Sequence, residues 1–213
     1  MPTAKPPRGV DCHAHVFSAD APAVANARYR PAYEARLDDW MAHWPAAGIT
    51  HGVLVQPSFF GTDNRELLAA LARAPDRLRG VAVVDGDIAE RELIRMDSAG
   101  IRAIRLNLQG ATDYGVFSRE PWPLQFARMA ALGWHVEAFV EPGHAVDLAM
   151  ALAGTTVDVV FDHFANPGPA LDATFDALSA LSRERNVGVK LSAPYRLAGH
   201  DPAVLASQWI DVL

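Results

Sequence analysis

The chain has a single cysteine, Cys12, which excludes an internal disulfide and any framework of bridges. It has no run of Lys or Arg; 19 basic against 25 acidic residues give a net charge of −6, which argues against nucleic acid as a partner. It also has no apolar stretch long enough to span a bilayer, and the first nine residues hold Lys5 and Arg8 but no apolar signal-peptide core. The expectation is a soluble cytoplasmic protein with no membrane partner. Glycine is missing where a dinucleotide-binding fold would want it, because Phe17-Ser18-Ala19-Asp20, after the first predicted strand, offers no glycine-rich turn.

What is present suffices for one sizeable core: 213 residues, 50% hydrophobic and 21% charged, fit a single globular domain over 1–213. Strands are predicted at 10–16, 52–57, 80–85, 101–108, 135–142, 157–163 and 187–192. Amphipathic helical patterns separate them. Asp63-x-x-Glu66 and Asp87-x-x-Glu90 read as capping boxes, and Gly48, Gly100 and Gly154 read as helix stops. The long connection over 18–45, with Leu37, Trp40, Met41 and Trp44, reads as a loop leading into a helix.

The first strand carries the most chemistry. Side chains alternate along a strand, so Asp11, His13 and His15 should share one face, and Cys12, Ala14 and Val16 the other. Two imidazoles then converge, and Cys12 becomes a small buried hydrophobe pointing away from them. Strands alternating with helices argue for an α/β protein with a parallel sheet. In a (β/α)8 barrel the chemistry collects at the C-terminal strand ends, which is where His15, Ser58, Asp85, Asn107, Glu141, His163 and Ser192 fall. The expected fold is therefore a TIM-type barrel, C-terminally incomplete because the sequence ends before an eighth strand.

Five blocks carry a family resemblance: 11–17 with His13 and His15; Gln56-Pro57-Ser58 through Asn64; 80–85; Gly100 through Asn107; and Phe161-Asp162-His163. Together they resemble the amidohydrolase-related family, within it the 2-pyrone-4,6-dicarboxylate lactonase and sugar lactonase group. The resemblance implies a hydrolase that opens a cyclic ester by attack of activated water. It implies catalytic roles for His13, His15 and His163, and substrate contacts from Tyr29, Ser58, Arg105, Asn107 and Arg196.

Two roles are open for the histidines. They could ligate one divalent metal, zinc or manganese, or polarise the carbonyl directly with no cofactor required. Arg105 shares a face with Asn107 and suits a substrate carboxylate, or else an ion pair with Glu141 or Asp85. Lys190 should point inward, neutralised by Glu137 or Asp11 as a structural pair. The resembling lactonases carry extra basic residues where this chain has Gln109-Gly110 and Ala165-Asn166, so a small mono-anionic or hydroxylated lactone is expected. A lactone isomerase, a decarboxylase of the same superfamily and an inactive truncated copy are the alternatives. An open barrel edge between the first and seventh strands also suggests self-association.

Overall fold

The computed structural model describes residues 8–25, 27–169, 171–197 and 199–213. It forms two compact units, Met1–Asp85 with Ala89–Ala103, and Gly86–Ile88 with Ile104–Leu213. The fold is α/β, of TIM-barrel type with seven strands among the described residues.

The first unit holds β1 (Val10–Ala14), α1 (Leu37–Ala42), β2 (His51–Val55), α2 (Arg65–Arg73), β3 (Leu78–Ala82), α3 (Glu90–Ser98) and the start of β4 (Ile101–Asn107). Its pairings are parallel, with Val10 opposite His51 and Val55 opposite Val81. Leu54, Leu71, Leu78, Leu93 and Ile101 are almost fully buried, as expected for strands covered by amphipathic helices. Gly52 is required by packing: a Cβ there would lie 2.3 Å from the Trp40 ring and 2.7 Å from that of Trp44. The aromatic face of α1 thus sits directly on the β2 backbone. Gly100, with φ of +99°, follows α3 as predicted and turns the chain into β4.

The second unit holds the rest of β4, α4 (Trp122–Ala131), β5 (His135–Phe139), α5 (Ala145–Leu152), β6 (Asp158–Phe161), α6 (Leu171–Ser182), β7 (Val187–Val189) and α7 (Pro202–Val212). β5 to β7 pair in parallel, with Ala138 opposite Phe161 and Phe161 opposite Val189. The core is built on Phe126, Met129, Trp134, Leu148, Leu152 and Phe161. Asp201 caps α7 through its Oδ1, which accepts from the backbone N–H groups of Ala203 and Val204.

Four expectations need correction. Neither capping box forms: the N-cap residues of α2 and α3, Asn64 and Ala89, make no side-chain cap, Asp63 accepts from the Arg65 backbone N–H at 3.3 Å, and Glu66 instead accepts from the Ser18 hydroxyl at 2.6 Å and the Ser18 backbone at 3.2 Å. The long N-terminal loop competes successfully for that carboxylate. Several strands end earlier than predicted, at Val55, Ala82, Phe161 and Val189, although the next residue still donates across the sheet after β2, β6 and β7, from Gln56 to Val81, Asp162 to Ala138 and Lys190 to Phe161.

The face assignment of Asp11 also fails. Three steps from Asp11 to Ala14 on β1 span only the two from Gly52 to Leu54 on β2, so β1 carries a bulge that breaks the alternation. Asp11 turns to α1, accepting from the Trp40 indole N–H at 2.8 Å. Cys12, expected to be buried, is exposed for the same reason; it lies within the bulge, where the parity that would have placed it under a helix is lost.

Candidate active site

In the first unit the bulge leaves His13 and His15 together, with ring centroids 5.0 Å apart and planes at 83°. His15 is oriented by a 2.7 Å hydrogen bond from Nδ1 to the Val55 carbonyl at the end of β2. A carbonyl only accepts, so Nδ1 carries the proton and Nε2 holds the lone pair in the neutral ring. Ser58 opens a short 3₁₀ turn, Ser58–Phe60, just after β2. That turn is anchored by buried Gln56, which donates to the carbonyls of Gly61 (3.2 Å) and Asp63 (2.7 Å). Tyr29 lies in the loop between β1 and α1 and is 61% exposed.

In the second unit four charged side chains are drawn together. Lys190 Nζ lies 2.7 Å from Glu137 Oε1 and 3.3 Å from Asp162 Oδ1, and Arg105 lies 3.7 Å from Asp162 Oδ2. The ion-pair partner of Arg105 is thus Asp162, where the sequence suggested Glu141 or Asp85. All four side chains are largely buried. Burial alone would raise the Glu137 carboxyl, but the neighbouring His135 ring, 3.8 Å away, and the charge of Lys190 outweigh it and hold the group below the usual glutamate range.

His163 follows β6 on an unusual backbone. His163, Phe164, Ala165 and Asn166 all have positive φ, between 46° and 61°, a left-handed turn that costs about 1–2 kcal/mol per non-glycine residue. The cost is offset by specific bonds. The Asn166 side chain donates to the Val140 carbonyl at 2.8 Å, Phe164 N–H to the Lys190 carbonyl at 2.8 Å, and Gly143 N–H to the Asn166 carbonyl at 3.1 Å. Strain of this kind, over-determined by its surroundings, is characteristic of functional sites. It presents the His163 ring to Ser192, with Nδ1 2.9 Å from Oγ, and edge-on to Phe139, with centroids 5.0 Å apart.

Phe139 collects the remaining groups. The guanidinium of Arg196, from the 3₁₀ turn Pro194–Arg196, lies over its ring at 5.0 Å, and that of Arg105 at 5.8 Å. Asn107 ends β4 two residues beyond Arg105. Sequence reasoning missed Phe139, and also Asp162 as the partner of both cations. The first was readable by parity, since His135, Glu137 and Phe139 share a face of β5.

The histidine pair of the first unit has the chemistry of a divalent-metal site: two imidazoles from one strand, one of them oriented by a carbonyl on its far nitrogen. The Glu137–Asp162 pair of the second unit fits a metal less well, because an ammonium is already bonded to both carboxylates.

The comparisons decide the family. The amidohydrolase family model matches residues 10–212. The chain belongs to the amidohydrolase family. It is therefore a hydrolase, as its named relatives are. It is 32% identical over 215 residues to a 2-pyrone-4,6-dicarboxylate hydrolase of Comamonas testosteroni, covering 96% of this chain and 68% of that protein. It is 26% identical over 198 residues to a 4-sulfomuconolactone hydrolase of Rhizobium radiobacter, covering 90% of this chain and 66% of that protein. A crystal structure of a probable 2-pyrone-4,6-dicarboxylic acid hydrolase from Acinetobacter baumannii, with citric acid bound, superposes with a TM-score of 0.84 at 34% identity, covering 95% of this chain and 77% of that one. The chain thus spans about two thirds of its curated relatives. Among its described residues no helix is long and apolar enough to cross a membrane.

Proposed function

We propose that this amidohydrolase opens an anionic lactone by attack of water. The observation that carries the reading is the convergence of Arg105, Arg196 and His163 on Phe139, which sets two anion-binding forks beside an imidazole. The relatives support it, because both named substrates are cyclic esters bearing acidic groups, and the Acinetobacter protein holds citrate, a polycarboxylate. Guanidinium forks suit carboxylate and sulfonate oxygens.

In this proposal Arg105 and Arg196 hold the anionic groups of the ring, with Asn107 as a further polar contact. The Ser192 hydroxyl donates to His163 Nδ1, so that His163 carries its proton on Nε2 and polarises the lactone carbonyl. In the first unit, His15, with its proton fixed on Nδ1 by Val55, keeps an Nε2 lone pair that can accept a proton from water, and His13 packs against it. A divalent metal bound by the histidines would acidify that water. We propose the metal-free route, in which the His163 imidazole polarises the carbonyl.

The test is a hydrolysis assay of the purified chain on a dicarboxylate pyrone, a mono-anionic lactone and a neutral sugar lactone, before and after dialysis against EDTA, with metal analysis of the dialysed protein. Retention of activity at substoichiometric metal supports the proposal. Loss restored by zinc or manganese replaces the metal-free route with a metal-dependent one, and isomerised or decarboxylated products replace lactone hydrolysis. Self-association of two copies along the β1 edge, where Val10 and Cys12 are exposed, belongs to the same reading. A monomer by light scattering removes it.

A further inference from the structure

Three side chains from three separate segments meet the ring of Phe139: Arg105 from β4, His163 from the left-handed turn after β6, and Arg196 from the turn after β7. Phe139 is 7% exposed and ends β5, so its backbone is held in the parallel sheet. The two guanidiniums differ in what else holds them. Arg105 has Asp162 beside it at 3.7 Å. Arg196 is exposed and makes no ion pair among the described residues; its guanidinium lies over the rings of Phe139 and Tyr195, at 5.0 and 5.4 Å. A cation held against the negative face of an aromatic ring keeps its N–H donors pointed outward in the guanidinium plane. A guanidinium held by a carboxylate has already spent part of its fork.

The geometry points to Phe139 as a positioning residue for anion recognition. Its π-face holds Arg196 in place of a carboxylate that would compete with substrate, flanks Arg105 beside its Asp162 partner, and its edge contact fixes the His163 ring in the same register. Phe139 does not touch the reacting bond; it acts through the three side chains that it carries. This inference rests on the function proposed above only in naming the anion as a lactone. The anion site itself can be tested without turnover.

The test compares Phe139→Leu, which keeps an apolar side chain of similar volume but has no π-face, with Phe139→Tyr, which keeps the ring. For an anionic lactone the leucine variant should raise KM about tenfold, the scale expected from losing cation–π contacts to two arginines, with a smaller fall in kcat. For an uncharged lactone KM should stay within about twofold of wild type. The tyrosine variant should restore most of the anionic KM. In parallel, calorimetric titration with citrate should show the same loss of affinity in Phe139→Leu and its recovery in Phe139→Tyr. Equal changes for charged and uncharged lactones would mean that Phe139 is ordinary core and would overturn the inference. So would an unchanged citrate affinity, or a wild-type chain that binds no citrate. If wild type binds citrate but opens no lactone, the proposed reaction fails and the role of Phe139 is judged on the citrate series alone.

Discussion

Lys190 and Glu137 form a buried ion pair, Nζ 2.7 Å from Oε1, with side chains 12% and 3% exposed. A pair this far from water gives little net stability over an apolar replacement, but removing one partner strands the other charge. Lys190→Met should therefore lower the unfolding free energy by about 3–5 kcal/mol, measured by urea denaturation. Adding Glu137→Gln to that variant should recover part of the loss, because the stranded carboxylate is gone. An additive double variant would show that the two residues are not coupled.

Glu137 also predicts a pH dependence. Its carboxyl sits below the ordinary glutamate range in the folded chain, so the folded state binds its proton less readily than the unfolded one. The resulting stability is fully present above the unfolded value. It is lost as pH falls through the ordinary carboxylate range to the lower folded value. Thermal unfolding scanned downward from neutral pH should show this decline, and Glu137→Gln should flatten it. A Gln variant with the wild-type slope would assign the decline to other carboxylates.

Gly52 tests the packing of α1 on β2. Because a Cβ would sit 2.3 Å from the Trp40 ring, Gly52→Ala should displace Trp40 from its hydrogen bond to Asp11 and cost about 1–3 kcal/mol. The check is a denaturation curve together with the tryptophan emission maximum. An unperturbed spectrum would show that the helix is not seated on that glycine.

Arg105→Lys keeps the charge but loses the fork. For an anionic lactone KM should rise while kcat falls less. If KM is unchanged, Arg105 serves only to neutralise Asp162.

Much of this was legible in the sequence, and the failures have a common origin. The alternation of strands and helices, the pairing of His13 with His15 and the inward direction of Lys190 all follow from regular periodicity. The errors at Asp11 and Cys12 come from one bulge, which shifts parity without any glycine or proline to mark it. The Asp63 box failed because Glu66 has a better partner, Ser18, 48 residues away in sequence, and the Asp87 box because α3 starts only at Glu90, with Ala89 at its N-cap. The left-handed turn of His163 to Asn166 has no glycine to announce it. It persists through hydrogen bonds from Asn166, Gly143 and Phe164, which no local propensity encodes. Parity puts Phe139 on the face of His135 and Glu137, but a phenylalanine in a strand is most often core, and the three side chains that meet its ring come from distant segments.

Anionic lactone hydrolysis built on His163 is tested by the kcat/KM of wild type and His163→Asn on an anionic lactone. Asparagine tolerates the left-handed backbone at that position while removing the imidazole, so the fold should be retained, as checked by circular dichroism. Wild type should turn the lactone over, and the variant should be slower by about 10²–10⁴-fold with a melting temperature close to wild type. Equal rates in the two proteins would remove His163 from the reaction.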